Sequence, residues 1–313
     1  MSDIAPLVVV LGPTASGKSA LAIAIAEKLG GEVLVCDSTQ VYRHFDIGTA
    51  KVPPSEQRGI PHHLIDLLEA DEVFTAGQFR ERAIAVLGDL RHRGKLPVIA
   101  AGTGLYLRAL LEGLADAPTR SEELRARLRA REKRAGPGSL HRLLARVDSE
   151  AAARIASRDT QKIIRAIEMR VLAGKSVGEI HRGGRAPLQG YAITKIGLLP
   201  PRAELYARID ARVESMMKAG WPSEVRGLVD RGIPADAKPF QFIGYSAIRE
   251  AIKAGKNPGA AVPSIQLATR RFAKRQITWF RKEPGVHWLA GFGDNPEITL
   301  AALSLLRSVP AEA

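Results

Sequence analysis

The segment LVVVLGPTASGKS, residues 7–19, carries the residues best suited to phosphate chemistry. It matches the P-loop pattern G-x-x-x-x-G-K-[ST] at Gly12, Gly17, Lys18 and Ser19, between an apolar run and a helical pattern. Glycines allow backbone N–H groups to surround a phosphate, and the N-terminus of the next helix adds partial positive charge. Lys18 can reach phosphate oxygens and the Ser19 hydroxyl can ligate Mg²⁺, so we predict a polyphosphate site with Mg²⁺ as cofactor. By motif alone, ATP is the expected ligand.

Asp37, at the end of a predicted strand, is a candidate general base. Nucleotide-hydrolysing P-loop proteins usually place a Mg²⁺-binding acid at the end of an apolar strand, but the strand predicted at 96–102 ends in Ala-Ala-Gly. Asp37 stands instead at the C-terminal end of the strand predicted at 33–37. Because sites form at the carboxyl edge of a parallel sheet, Asp37 is a candidate base toward an acceptor. A helix cap or an indirect contact with Mg²⁺ is the structural alternative.

The charge balance points toward a polyanionic partner. The 313 residues include 46 Lys and Arg against 33 Asp and Glu, a net charge of +13. A small-molecule kinase has no need of this surplus, whereas a nucleic-acid-binding protein does; a merely solvated basic surface is the alternative. No apolar run approaches the ~20 residues that span a membrane, and the single cysteine, Cys36, excludes an internal disulfide and a cysteine-rich zinc site. We expect a soluble, cytoplasmic protein with no membrane partner, in which the adjacent His62 and His63 are structural.

The order of apolar runs predicts the architecture. Buried strands are predicted at 7–11, 33–37, 62–68, 96–102, 191–199 and 285–291. Helical patterns between the early strands indicate an α/β fold, with a P-loop NTPase-like parallel sheet and helices on both faces. The stretch 114–190 has helical signal without a convincing strand, and we interpret it as a helical insertion domain. The predicted catalytic core is therefore 1–113 and 191–313, with a helical C-terminal part.

Seven segments occur in the order and spacing of a known enzyme family: GPTASGKS, DSTQVYRHFDIGTAK, HHLID, AGTGLYLRALLEG, DTQKIIRAIE, FIGY and ATRRFAKRQITWFR. Together they resemble the bacterial tRNA dimethylallyltransferases, from about residue 7 to residue 289. DSTQVYR…DIGTAK and AKRQ.TW are far more specific than the P-loop. The resemblance implies that the P-loop holds the diphosphate of dimethylallyl diphosphate rather than ATP. It also implies an acceptor at N6 of the adenosine immediately 3′ of the anticodon, in the anticodon stem-loop of tRNA, and we expect a monomer.

The resemblance further implies roles for individual residues. The N6 lone pair is delocalised into the adenine ring, so the departing diphosphate needs stabilisation and the N6 proton needs an acceptor. Asp37, Thr14 and Arg212 are expected to be catalytic. The implied diphosphate-binding residues are Gly12, Pro13, Thr14, Ala15, Ser16, Gly17, Lys18 and Ser19, with Ser19 as metal ligand. The implied tRNA-binding residues are Asp37, Ser38, Thr39, Gln40, Thr103, Arg125, Gln161, Lys162, Ile163, Ile164, Arg165 and Gln241.

A C-terminal stretch adds further candidates. Residues 270–282 hold six basic residues and no acid, and their aromatic side chains include Trp279 and Phe280, a mixture that suits phosphate contact and base stacking. From it we add Arg271, Lys274 and Arg275 to the tRNA-binding set, with core packing of Trp279 and Phe280 as the alternative. Two positions depart from the family pattern. Lys162 stands where Arg is more frequent, which loses the planar fork for a bidentate phosphate contact, and Ala101 stands where Gly is usual.

Three other functions remain open at this point. A small-molecule kinase would use Asp37 as base and the insertion as a lid, although the missing strand-end acid argues against it. Prenyl transfer to a free adenine nucleotide would leave the basic-aromatic stretch at 270–282 without a role. A non-catalytic RNA-binding protein with a nucleotide switch would not need Asp37 at the carboxyl edge of the sheet.

Overall fold

The computed structural model of the chain describes residues 4–308, which form two compact units. The core unit comprises residues up to 110 together with those from 189 onward, and the insertion comprises residues 111–188. The first three and last five residues of the predicted core lie outside the described range. None of the helices within residues 4–308 combines the length and apolar character that crossing a bilayer requires.

A parallel sheet forms the centre of the core unit. Within the described residues it has six strands: β1 (Ala5–Leu11), β2 (Gly31–Cys36), β3 (His62–His63), β4 (Leu96–Ala101), β5 (Tyr191–Leu198) and β6 (Val286–Leu289). Their order across the sheet is β3-β2-β4-β1-β5-β6, and every pairing is parallel. The predicted fold class is confirmed.

Thirteen helices accompany the strands in the described part of the chain. They are α1 (Lys18–Leu29), α2 (Ala76–His92), α3 (Gly104–Glu112), α4 (Glu122–Ala135), α5 (Ser139–Val147), α6 (Ser149–Arg154), α7 (Thr160–Ala173), α8 (Val177–Arg182), α9 (Arg202–Lys218), α10 (Trp221–Asp230), α11 (Tyr245–Lys253), α12 (Val262–Phe280) and α13 (Pro296–Ser308). Helices α4 to α8 belong to the insertion.

Burial along β1 shows that the sheet is covered on both faces. Residues 7–11 are each at most 2% exposed. Val8 and Val10 pack with Leu21 and Ile25 of α1. Because successive side chains of a strand point to opposite faces, the buried residues between them require cover on the other side. This double burial explains why β1 reads as a continuous apolar run rather than an alternating one.

One predicted strand is much shorter than expected. The run 62–68 forms a strand only over His62–His63, followed by a single bridge between Tyr42 and Leu68. Leu64 and Asp66 adopt left-handed backbone angles, with φ of 67° and 51°. An extended strand cannot pass through such residues, so apolar composition alone overestimated its length.

The register of the sheet aligns three chain segments that are far apart in sequence. Leu11 of β1 pairs with Ala101 of β4, and Ala101 pairs with Cys36 of β2. The residues that follow this row, Gly12, Gly102 and Asp37, therefore leave the sheet at the same carboxyl edge. This edge holds the candidate site.

The insertion has its own hydrophobic core, formed by residues such as Leu140, Leu144 and Ile167. Asp159 caps α7 by accepting a hydrogen bond from the Lys162 amide at 3.2 Å. Gly174 ends the same helix with a φ of 67°. Both ends of α7 are therefore set by residues adjacent to the helix in the sequence, because caps depend on contiguous residues.

Candidate active site

The P-loop connects β1 to α1 with the backbone geometry of an anion site. Ala15 and Gly17 have left-handed φ angles of 63° and 83°, and Gly17 is the residue that precedes α1. Alternation between right- and left-handed conformations turns successive N–H groups toward one point, in front of the positive end of the helix. The backbone conformation of a phosphate cradle therefore follows from the local sequence.

Distant residues hold this cradle in place. Gln276 of α12 is 6% exposed; its side-chain carbonyl accepts the Thr14 N–H at 2.8 Å, and its amide donates to the Gly102 carbonyl at 2.8 Å. On the other side, the Gly293 N–H donates to the Ser16 carbonyl at 2.9 Å. The Thr14 N–H is thus occupied by Gln276, which leaves the hydroxyl of Thr14 for the predicted catalytic role.

Asp37 reaches the P-loop across a position that has no side chain. A Cβ on Gly102 would stand 2.6 Å from Asp37 Oδ2 and 3.3 Å from Lys18 Cε. The other carboxylate oxygen, Oδ1, accepts hydrogen bonds from the amide and hydroxyl of Thr39 at 2.9 and 2.7 Å. The carboxylate is therefore oriented by Thr39, and its Oδ2 is directed over the end of β4 toward Lys18.

Burial destabilises the charged forms of the two cations near Asp37, Lys18 and Arg212. Burial lowers the pKa of Lys18 to about 8; the charge of Asp37 opposes this shift and that of Arg212 adds to it. Burial also lowers the pKa of Arg212, and the neighbouring charge of Arg208 lowers it further. Both cations would be stabilised by an incoming anion, which is the expected behaviour of a diphosphate site.

Two cavities meet at these cations. The Asp37 cavity, about 340 Å³, is lined by Asp37, Thr103, Gln241, Gln276 and the apolar side chains of Ile209, Val213, Met216, Phe242, Ile265 and Phe272. The basic cavity, about 680 Å³, is lined among others by Lys51, Arg58, Arg208 and Glu56. Both are bounded by Ala15, Lys18, Ser19, Ala50 and Arg212. A ligand anchored at this shared wall can extend into either cavity.

Several predicted tRNA-binding residues surround the Asp37 cavity. Ser38, Thr39, Gln40, Thr103, Gln241 and Arg275 line it together with Asp37. The Thr103 hydroxyl accepts the Ser38 N–H at 3.0 Å, which ties the segment after β2 to the segment after β4. The side-chain amide of Gln40 donates to the carbonyls of Thr49 and Ala50, at 3.0 and 3.3 Å, so it also shapes the loop that follows.

Helix α12 separates its cations from its buried face. Arg271, Lys274 and Arg275 are exposed, whereas Ala273, Gln276 and Phe280 are buried. Trp279 is 38% exposed, with the guanidinium of Arg108 5.0 Å from its ring centre. The aromatic residues of this stretch thus differ: Phe280 packs in the core, Phe272 lines the Asp37 cavity and Trp279 reaches the surface.

In the insertion, the structure turns some predicted RNA-binding side chains inward. Ile163 and Ile164 are 0% and 2% exposed and belong to the core of this unit. Because these two side chains are buried, a tRNA contact at Ile163 or Ile164 would have to come from the backbone, and it stays a prediction. Gln161 and Lys162 are exposed on the same helix, and Arg165 is half-buried.

Arg125 is also buried, at 7% exposure, and is held by a carboxylate. Its guanidinium donates two hydrogen bonds to Glu168, at 2.9 and 2.8 Å. Arg165 and the Ser121 N–H donate to the same carboxylate, at 2.6 and 2.7 Å. A contact between Arg125 and tRNA stays a prediction, and it would require this pair to open.

Arg208 and the two adjacent histidines have clear partners in the structure. Arg208 donates two hydrogen bonds to Asp294, each 2.8 Å long, and lies over the Phe292 ring at 4.7 Å. Its charge is therefore engaged, in contrast with Arg212, which lines both cavities. His63 contacts Glu32 at 2.7 Å, and His62 contacts the Ile60 carbonyl at 2.8 Å, a structural role for both rings.

Ser19 of the shared wall and the nearby Asp37 fit Mg²⁺. Ser19 and Asp37 both line the Asp37 cavity and carry the oxygen donors that Mg²⁺ prefers. Within residues 4–308, no group of three or more His, Cys, Asp or Glu side chains could hold a metal ion. A site with one or two protein ligands is typical of Mg²⁺ bound together with a phosphate substrate.

A comparison with protein-family models decides the family. Residues 40–283 match the model described as IPP transferase. The chain belongs to the IPP transferase family.

Members of the IPP transferase family resemble this chain over nearly its whole length. A tRNA dimethylallyltransferase of Solibacter usitatus is 51% identical over 298 residues, which cover 95% of this chain and 97% of that protein. One of Koribacter versatilis is 47% identical over 98% of this chain and 100% of that protein. The crystal structure of a full-length tRNA isopentenylpyrophosphate transferase from Bacillus halodurans has a TM-score of 0.70 at 34% identity, and the match covers 97% of this chain and 95% of that one.

In this IPP transferase, sequence reasoning missed Gln276 as an individual site residue. It belongs to the motif AKRQ.TW, in which only the neighbouring cations Lys274 and Arg275 were predicted to be site residues. One signal was present in the sequence. Gln276 occupies a helix position between the apolar Ala273 and Phe280, where a polar side chain is justified only by a buried partner.

Proposed function

We propose that the chain transfers a dimethylallyl group from dimethylallyl diphosphate to N6 of the adenosine immediately 3′ of the anticodon in tRNA, releasing diphosphate. The observation that carries the proposal is the carboxylate of Asp37, directed across Gly102 toward Lys18, where the two cavities meet. An acceptor base and a diphosphate can thus approach each other from two sides. The names of the relatives support this reaction.

The donor is placed with its diphosphate at the shared wall. The P-loop N–H groups, Lys18 and Arg212 would bind the phosphate oxygens, and the Thr14 hydroxyl would contact them from the loop. Ser19 would hold Mg²⁺, with Asp37 near it. When bound, Mg²⁺ supplies positive charge to the diphosphate. The five-carbon chain would extend toward the apolar side of the Asp37 cavity.

The acceptor adenosine leaves the anticodon stack and enters the Asp37 cavity, a displacement that costs a few kcal/mol and costs least in a loop. The N6 lone pair forms a bond to C1 of the allyl group. The bond between C1 and the bridging oxygen breaks, and its electron pair remains on the diphosphate. Asp37 Oδ2 accepts the N6 proton. Lys18 and Arg212 stabilise the charge that develops on the leaving group.

The surface around the cavity suits an RNA partner. Arg271 and Lys274 are exposed on α12, and Arg275 lines the cavity itself. We propose that these cations bind phosphates of the anticodon stem-loop, together with Gln161 and Lys162 of the insertion. We also propose that the protein acts as a monomer in the cytoplasm, where its tRNA substrate occurs.

The decisive experiment incubates the protein with unmodified tRNA and labelled dimethylallyl diphosphate in the presence of Mg²⁺. Label is expected in the RNA, at the adenosine 3′ of the anticodon. A tRNA with guanosine at that position is the matched control and should stay unlabelled, because guanosine has no N6 amino group. Free adenine nucleotides and ATP replace each substrate in parallel reactions. Label in free nucleotide alone, or ATP turnover without label in RNA, would contradict the proposal.

A further inference from the structure

The carboxylate of Glu224 holds the turn that forms one wall of the Asp37 cavity. Glu224 lies in the first turns of α10. Its Oε2 accepts the N–H groups of Asp46 and Ile47, at 3.0 and 2.7 Å. Its Oε1 accepts the hydroxyl of Tyr245, the first residue of α11, at 2.6 Å. One side chain thus joins α10, α11 and the turn at 46–51, which is 178 positions away in sequence.

The hydrogen bonds continue from this turn to the segment that carries Asp37. Within the turn, the Ala50 N–H donates to the Ile47 carbonyl at 3.0 Å and the Lys51 N–H donates to the Asp46 carbonyl at 3.1 Å. The carbonyls of Thr49 and Ala50 then accept the side-chain amide of Gln40. Gln40 stands three residues after Asp37. A continuous path therefore links Tyr245 and Glu224 to the acceptor side of the site.

Close packing against Trp221 also restricts the position of this turn. Trp221 is the first residue of α10 and is 1% exposed. A Cβ on Gly48 would stand 2.3 Å from the indole Nε1, and a Cβ on Gly244 would stand 2.0 Å from Cη2. Gly48 of the turn and Gly244, the residue before α11, therefore both pack directly against the Trp221 indole. The hydrogen bonds to Glu224 and the close contact with Trp221 together fix the conformation and the position of the turn.

We propose that Glu224 is a positioning residue for the acceptor side of the site, an inference that rests on the function proposed above. Hydrogen bonds from two backbone amides to a carboxylate are charge-assisted and stronger than neutral ones. They keep Gly48, Thr49 and Ala50 in the wall of the Asp37 cavity and hold Gln40 beside Asp37. The P-loop is held separately, by Gln276 and Gly293. Ala50 is the residue of this turn that bounds both cavities, and it has no polar side chain to bind phosphate. Removing the clamp should therefore impair the tRNA side far more than the diphosphate side.

The test compares Glu224→Ala with the conservative Glu224→Gln. In Glu224→Ala, kcat/KM for tRNA should fall by about 30-fold, mainly through KM, because three charge-assisted hydrogen bonds are lost, two of them from the backbone of the turn. The affinity of the free enzyme for dimethylallyl diphosphate should stay within about twofold. A glutamine oxygen can accept both N–H groups while its amide donates to the Tyr245 oxygen, so Glu224→Gln should retain activity within about fivefold. Glu250→Ala, which removes an exposed carboxylate from the neighbouring α11, is the matched control and should behave as wild type.

Hydrogen exchange tests the clamp independently of catalysis. Amides of residues 41–51 should exchange at least about tenfold faster in Glu224→Ala than in wild type, Glu224→Gln or Glu250→Ala. Unchanged exchange would overturn the proposal, as would faster exchange with normal kcat/KM for tRNA. A parallel loss of diphosphate affinity would also overturn it, because the damage would then extend beyond the acceptor side. If wild type fails to modify tRNA, the proposed function fails, while exchange together with tRNA affinity still decides the role of Glu224.

Discussion

At the scale of single residues, the position of Asp37 depends on the missing side chain of Gly102. Nucleotide-hydrolysing P-loop proteins usually carry a Mg²⁺-binding acid at the end of an apolar strand. Here β4, the neighbour of the P-loop strand β1, ends without an acid, and the carboxylate comes from β2, one strand further away. The gap left by Gly102 lets it extend over β4 to Lys18. This arrangement places the carboxylate in the cavity where we propose that the acceptor binds.

The first prediction concerns the base. Asp37→Ala should lower the single-turnover rate of transfer by ~10²–10⁴, the usual contribution of general-base catalysis, because no carboxylate then accepts the N6 proton. Affinity for tRNA should change much less. Rapid-quench measurement with saturating tRNA, beside a filter-binding titration, separates the two quantities. A collapse of tRNA affinity with an intact rate would show that Asp37 only binds.

A second prediction concerns the brace of the P-loop. Gln276→Leu removes both hydrogen bonds and leaves the Thr14 N–H and the Gly102 carbonyl unpaired near the phosphates. Dimethylallyl diphosphate should bind about tenfold more weakly, since each lost buried bond costs about 1–3 kcal/mol and part is recovered by relaxation. Calorimetric titration measures the change. Gln266→Leu on the same helix, far along its length, is the control; equal losses in both variants would refute the brace.

At the scale of elements, the insertion is organised by an ion pair between α4 and α7. Glu168 is 0% exposed and accepts hydrogen bonds from Arg125, Arg165 and the Ser121 amide. Burial alone would raise the pKa of this carboxyl, but the hydrogen bonds from the two arginines and the amide outweigh it and hold the pKa at about 2. The pair therefore joins the start of α4 to the middle of α7.

This pair gives the third prediction. The folded pKa of Glu168 lies below its unfolded value of about 4.3, so its contribution to stability is present at neutral pH and is lost as pH falls from about 4.5 toward 2. Glu168→Gln should destabilise the insertion by roughly 3–5 kcal/mol at pH 7, because Arg125 stays buried without a counter-charge.

Hydrogen exchange of residues 111–188 across pH measures this effect. The variant should lose the acid-dependent step that wild type shows between pH 4.5 and 2. Glu150→Gln removes an exposed partner of Arg154 and should cost less than about 1 kcal/mol. Equal destabilisation by both variants would show that the buried pair contributes no more to stability than an exposed one.

At the scale of the whole molecule, part of the net charge of +13 is concentrated on the exposed face of α12. Its buried face carries Gln276 to the P-loop, and its exposed face carries Arg271 and Lys274. One helix thus braces the P-loop with one face and presents cations to solvent with the other.

The last prediction follows from that exposed face. Replacing Arg271, Lys274 and Arg275 by Ala should weaken tRNA binding and reduce its salt dependence by roughly 0.7–0.9 log-log unit per lost phosphate contact. Binding titrations at several salt concentrations give the slope. Neutralising Lys28 and Lys95, at the opposite edge of the sheet, should leave the slope unchanged. An unchanged slope in the α12 variant would show that this face does not meet RNA.

The sequence by itself determined the features that depend on contiguous residues. The strand–loop–helix of the P-loop, the caps of α7, the helical insertion and the family were all predictable, because local backbone conformation and motif spacing express them directly. The length of β3 was not, since left-handed residues interrupt its apolar run.

Only the tertiary structure decided which distant groups meet. Gln276 binds Thr14 from 262 positions away, Glu224 clamps a turn 178 positions away, and Asp37 crosses over Gly102. Packing likewise turned Arg125, Ile163 and Ile164 inward. Hydrogen bonds and burial between distant segments arise from the sheet register and the packing of helices on it, and neither quantity is written in any short stretch of chain.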